Sequence, residues 1–138
     1  MFYLSKKNIS LIIIVSLFIF LIIRTFIGFA ERSNSLNGEN VKITVGTITD
    51  FRHGGKVSPW FYYEYKFKNK PIITQQSIEG NLRAAKNDEI RKYIGKRYFV
   101  KFSVENPKYS ELFFDKPVPD DFVYNEGQTW KTIPISYD

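Results

Sequence analysis

The chain has 138 residues, no cysteine, one histidine and a net charge of +6. The lack of cysteine excludes disulfides, thiolate nucleophiles, Cys-ligated metals and a lipoprotein anchor. From Glu31 onward seventeen basic residues face fourteen acidic ones, so this part carries +3, a mild balance that argues for solubility and gives no basis for specific nucleic-acid binding.

The first element is an apolar run. Ile9 to Ile23 holds fifteen residues without a charge, polar only at Ser10 and Ser16, and the apolar character resumes after Arg24 with Phe26, Ile27, Phe29 and Ala30. At about 1.5 Å per residue, residues 9–30 reach roughly 33 Å, enough for a hydrocarbon core of about 30 Å. Arg24 costs about 2.5 to 3.5 kcal/mol at a helix centre, while each Leu, Ile, Phe or Val returns about 0.3 to 0.6 kcal/mol. Thirteen such residues lie between Ile9 and Ile23, so insertion is favoured, and Arg24 can snorkel from the end of the span.

The residues therefore predict a retained single-pass anchor in the bilayer over 9–30, behind a cytoplasmic flank at 1–8. The alternative is a signal peptide with Lys6 and Lys7 as its basic region, cleaved after Gly28-Phe29-Ala30 to release the remainder. Arg24 interrupts the approach to that cleavage site. Basic residues nearly balance across the span; the short flank carries both lysines, which places the remainder outside the cytoplasmic membrane.

Residues 31–40, rich in Ser, Asn and Gly, read as a linker, with Ser33 to Asn40 as a flexible tether. Residues 41–138 read as one β-rich domain. Eighteen aromatic residues fall between Glu31 and Asp138, a density that suits strands and supplies core area. Val41 to Ile48 alternates as a half-buried strand, with Gly46 marking a bulge or bend. Asp50 to Lys56, with His53-Gly54-Gly55, reads as a hairpin loop.

Trp60 to Phe67 is a second strand. Phe61, Tyr63, Tyr65 and Phe67 share one face, and Trp60, Tyr62, Glu64 and Lys66 share the other. Because charges mark the second set, the first is the predicted core. Lys68-Asn69-Lys70 is a tight turn in which Asn69 can take positive φ, and Ile72 to Ile78 a third strand. Asn87-Asp88-Glu89 opens a two-turn helix through Ile90, Tyr93 and Ile94 that ends at Gly95. Tyr98 to Val104 is a fourth strand, Asn106-Pro107 a turn, and Glu111 to Phe114 a short fifth strand. The tail from Lys116 is irregular, with Phe122, Trp130 and Ile133 able to pin it to the sheet.

The predicted fold class is thus an N-terminal transmembrane helix followed by a small mainly-β domain of about five antiparallel strands, with one short helix between the third and fourth. This order fits both a small barrel of the oligonucleotide/oligosaccharide-binding type and an open twisted sheet.

Few residues suggest chemistry. His53 sits beside two glycines, but a lone His without Cys or convergent carboxylates does not make a metal site. Asp88-Glu89 suits a helix start, and Asp120-Asp121 suits a solvated turn. Gly54-Gly55-Lys56 lacks the first glycine and terminal Ser/Thr of a phosphate loop. No enzymatic activity, cofactor or metal is therefore expected. The candidate binding residues are Trp60, Tyr62, Glu64 and Lys66, with His53 in the neighbouring loop: aromatics beside charges suit a protein, a glycan or a single-stranded nucleic acid. The alternative is that the helix or the Trp130 tail covers this face.

Gly46-Thr47-Ile48, Trp60 to Tyr65, Gly95-Lys96-Arg97-Tyr98 with the strand to Ser103, Glu105-Asn106-Pro107, Ser110-Glu111-Leu112 and the tail Gly127 to Pro134 together form a pattern. Over residues 41–134 it resembles small single-span bacterial proteins of the Bacteroidota type, similar to a widespread membrane-associated β-domain family of unknown function. The matching motifs are structural, so the resemblance brings no catalytic residues. Some small anchored proteins of this kind are immunity factors against toxins. The sequence as a whole leads us to expect a membrane-anchored, non-enzymatic domain that binds another protein outside the cytoplasmic membrane, with toxin neutralisation as one specific version. The alternative is a small barrel that binds a glycan or single-stranded nucleic acid.

Overall fold

A computed structural model describes residues 6–54, 57–78 and 80–137. The chain divides between Asn34 and Ser35 into two compact units. The helix α1, Lys6–Asn37, contains the whole apolar run. It is one helix long and apolar enough to cross a membrane. The large apolar side chains between Ile9 and Phe29 are exposed, from 41% at Ile22 to 74% at Phe29, unlike those of a soluble protein's core helix. Helix continues through Asn37, so Ser33 to Asn37 is helical where composition suggested coil, and only Gly38, Glu39 and Asn40 separate α1 from the first strand.

The second unit is a five-stranded antiparallel sheet. Its strands are β1 (Val41–Arg52), β2 (Trp60–Phe67), β3 (Lys70–Ser77), β4 (Arg97–Ser103) and β5 (Ser110–Pro117), in the order β3-β2-β1-β4-β5. β1 runs to Arg52, so Asp50 to Arg52 belong to a strand and not to the expected loop. Gly55 and Lys56 lie outside the described residues. The β2–β3 turn has Lys68 at φ 51° and Asn69 at φ 60°. Two central residues at positive φ match the right-handed twist of a hairpin, and they set Phe67 opposite Lys70.

Gly46 stays in register, opposite Tyr98; the irregularity falls between Ile48 and Asp50. A Cβ on Gly46 would stand 2.7 Å from Val100 Cγ2. This glycine therefore permits close packing and does not form the expected bulge.

A short 3-10 turn, Asn81–Ala84, and the five-residue helix α2, Asn87–Arg91, follow β3. Glu89 reaches back to the Lys86 backbone N–H at 3.2 Å. Turns carry the chain on to Gly95, whose φ of +84° suits glycine. Its N–H donates to the Ile48 carbonyl at 2.8 Å, and Ile48 N–H donates to Lys96 O at 3.0 Å. These bonds continue the β1–β4 pairing one residue beyond Thr47 and Arg97.

The inner face of the sheet carries the main core. Phe61, Tyr63, Tyr65, Ile48, Val100 and Phe102 are buried there, with Ile90 of α2 fully buried on top. Tyr63 keeps its hydroxyl in the core through a 2.8 Å bond with Ser110 Oγ. On the outer face, Ile43, Val45, Phe99 and Val118 form a second cluster beneath Phe122, Tyr124, Trp130 and Ile133 of the tail. Trp130 pairs with Ile43 through two 2.8 Å backbone bonds. They lie on the half of β1 that β2 leaves free, since β2 pairs only from Thr47 onward. The tail thus extends the sheet by one residue and covers its outer face at β1 and β4.

The sheet is not closed into a barrel. Its edges β3 and β5 approach without forming a ladder, joined by side chains. Gln76 Oε1 accepts from Leu112 N–H at 2.8 Å, and Gln76 Nε2 donates to Leu112 O at 3.1 Å. The Tyr65 hydroxyl donates to the Pro107 carbonyl nearby. One side-chain amide thus supplies what a strand residue would, blunting two edges that would otherwise present unpaired backbone. The interior is filled by aromatic rings, among them Tyr65 and Phe102 at 5.2 Å.

Candidate functional site

The tail leaves one part of the outer face uncovered: the C-terminal half of β1, with β2 and β3. The registers place its residues in rows. Arg52 lies opposite Trp60, Asp50 opposite Tyr62 and Thr47 opposite Glu64. On the other side Trp60 lies opposite Ser77, Tyr62 opposite Gln75, Glu64 opposite Ile73 and Lys66 opposite Pro71. Residues directly opposite in an antiparallel pair share a face. Trp60, Tyr62, Glu64 and Lys66 therefore project together, as the alternation predicts.

Their exposures differ. Trp60 is 42% exposed and Ile73 62%, while Tyr62, Glu64 and Lys66 are half-buried. Val57 is also exposed and lines a shallow depression with Trp60, Ser77 and Arg83. At the other end of the face the tail closes over β2. Lys66 Nζ pairs with Glu126 at 2.9 Å, and a cleft of about 210 Å³ opens between Thr47, Thr49, Glu64 and Lys66 on one side and Tyr124, Glu126 and Gly127 on the other. The face thus runs from Trp60 at one end through Tyr62 to Glu64 at the charged cleft, with the exposed Ile73 directly opposite Glu64. The cover expected of the tail is present over β1 and β4 and reaches β2 only at this cleft.

His53 does not join this face. Its Nε2 lies 3.2 Å from the Arg83 carbonyl and its Nδ1 3.2 Å from the Asn87 side-chain amide. Both ring nitrogens are used to hold the end of β1 to the segment that starts α2. Directly beneath Glu64 and Lys66 in the chain, on the inner face, burial raises the Tyr65 phenol well above its ordinary range, with Ser110 offsetting part of the effect. Among the described residues no three His, Asp or Glu side chains come together as a metal-binding group.

Ile73, Tyr124 and Glu126 are the members of the site that sequence periodicity did not identify. Ile72 and Ile73 are both apolar, so alternation alone does not say which faces out. The two-residue turn does, because it fixes Lys66 against Pro71 and so Glu64 against Ile73. The tail residues have no periodic signal. Compared with protein-family models, curated proteins and solved structures, the chain matches none.

Proposed function

We propose that this is a membrane-anchored, non-enzymatic domain that binds another protein outside the cytoplasmic membrane through the uncovered outer face of β1, β2 and β3. The observation that carries this reading is the row of Trp60, Tyr62 and Ile73 along the part of the outer face that, among the described residues, the tail leaves uncovered. Exposed Trp and Tyr ringed by polar groups are typical anchors of protein interfaces, because large rigid rings bury much area at little entropy cost. The anchor at 9–30 and the tether of three residues after α1 confine the domain close to the bilayer, which favours partners that are themselves at the membrane. A toxin entering from a neighbouring cell is one such partner, and protection of cells that express the chain tests this narrower form.

The experiment is capture of a partner from solubilised membranes with the full chain. Trp60→Ala and Ile73→Lys should each abolish capture and leave the unfolding temperature within experimental scatter, since both side chains are exposed. Undiminished capture by both variants would overturn the reading.

A further inference from the structure

The cleft beneath Tyr124 has a chemistry of its own. Its volume of about 210 Å³ equals roughly seven waters' share of liquid volume, room for one side chain and not for a folded segment. Three charged groups line it. Lys66 and Glu126 satisfy each other at 2.9 Å. Glu64 is half-buried, and among the described residues its carboxylate has no ion pair. The cleft therefore carries one negative charge in excess and is one positive charge short of balance. Tyr124 forms a wall and already attracts a cation, with the Arg97 guanidinium 5.8 Å from its ring centre.

We propose that this cleft receives a lysine side chain from the partner protein, with Glu64 as counter-ion and Tyr124 as aromatic wall. The proposal rests on the protein-binding reading above and gives the partner a recognisable feature: a lysine placed beside an apolar patch that covers Tyr62, Trp60 and Ile73. A carboxylate in a partly enclosed cleft is more weakly hydrated than one on open surface, so an incoming ammonium gains a charge-assisted bond at reduced desolvation cost. The Thr47 hydroxyl opposite Glu64 offers a second acceptor for the three N–H groups of lysine. The tetrahedral ammonium on a slender stem suits this narrow site better than the planar guanidinium of arginine, whose fork needs a flat bidentate partner.

The test is NMR titration of the full chain in lipid nanodiscs with Nα-acetyl-lysine methylamide, using Nα-acetyl-norleucine methylamide and methyl glucoside as controls. Saturable shifts are expected at Thr47, Glu64, Lys66, Tyr124 and Gly127 with the lysine compound alone. Glu64→Gln should weaken binding by about tenfold, the effect of losing a hydrogen bond to a charged group, with the unfolding temperature unchanged. Asp88→Asn, on the exposed side of α2, should leave lysine binding intact. Equal shifts with norleucine, or no shifts in this cleft, would overturn the proposal. Partner capture that is lost in Trp60→Ala but insensitive to Glu64→Gln would also overturn it while the protein-binding reading stands. Lysine binding without capture would do the reverse.

Discussion

At Gly46 an added Cβ would meet Val100 Cγ2 at 2.7 Å, with the Glu64 carbonyl at 3.5 Å behind it. Val100 is fully buried and cannot swing aside. Gly46→Ala should therefore destabilise the domain by about 1 to 3 kcal/mol, the usual cost of overpacking. Val100→Ala removes the clashing methyl, so the double variant should be less destabilised than the sum of the two single changes. Denaturant unfolding of the four proteins measures this, and simple additivity would refute the clash. Tyr65 makes a different prediction. Its folded-state phenol titrates above the ordinary value because it is buried, and Tyr98 is raised for the same reason. Above pH of about 10 the unfolded chain loses protons that the folded chain keeps, so stability is full below that point and falls above it, by up to about 1.4 kcal/mol per pH unit for each tyrosine. The denaturant midpoint should drop between about pH 9 and about pH 11, with Tyr65→Phe flattening the slope. A midpoint that does not move would contradict the burial argument.

At the scale of elements, β3 and β5 depend on Gln76 for closure. Leu112 is 2% exposed, and Gln76→Ala leaves both its backbone N–H and its C=O without their bonds. The expected cost is about 1 to 3 kcal/mol, and amide exchange at Leu112 should accelerate selectively. Unchanged exchange would show that the edges hold without this bridge. The same elements show what a sequence discloses. The alternation in Trp60–Phe67 identified both faces of β2 because charges at Glu64 and Lys66 marked one of them. The helix start at Asn87, the turn at Asn69 and the break at Asn106-Pro107 were readable from local chemistry. The irregularity after Ile48 was not, since Thr49, the residue it leaves without a partner in the β2 register, carries no local signal. The join between β3 and β5 was not either, because Gln76 and Leu112 meet only after the sheet curls. The helical course of Ser33 to Asn37 follows from extension of a long helix already nucleated upstream, which overrides weak local propensity. Of the candidate site, the β2 row was legible and the tail wall at Tyr124 was not.

At the scale of the whole molecule, a helix long and apolar enough to cross a membrane precedes a sheet whose outer face the tail covers at β1 and β4. If the anchor is retained, intact-mass measurement on protein from membranes should give the full chain, and a product starting at Glu31 would indicate signal cleavage instead. Site-specific photocrosslinking asks whether the exposed face meets a protein in the cell. A photoreactive phenylalanine analogue replaces Trp60 or Ile73 in turn, with Asp88, exposed on α2, as the control position. On irradiation of intact cells, one discrete protein adduct is expected in the membrane fraction from both face positions and none from Asp88. Absence of any protein adduct from the face, or the same adducts from Asp88, would contradict it.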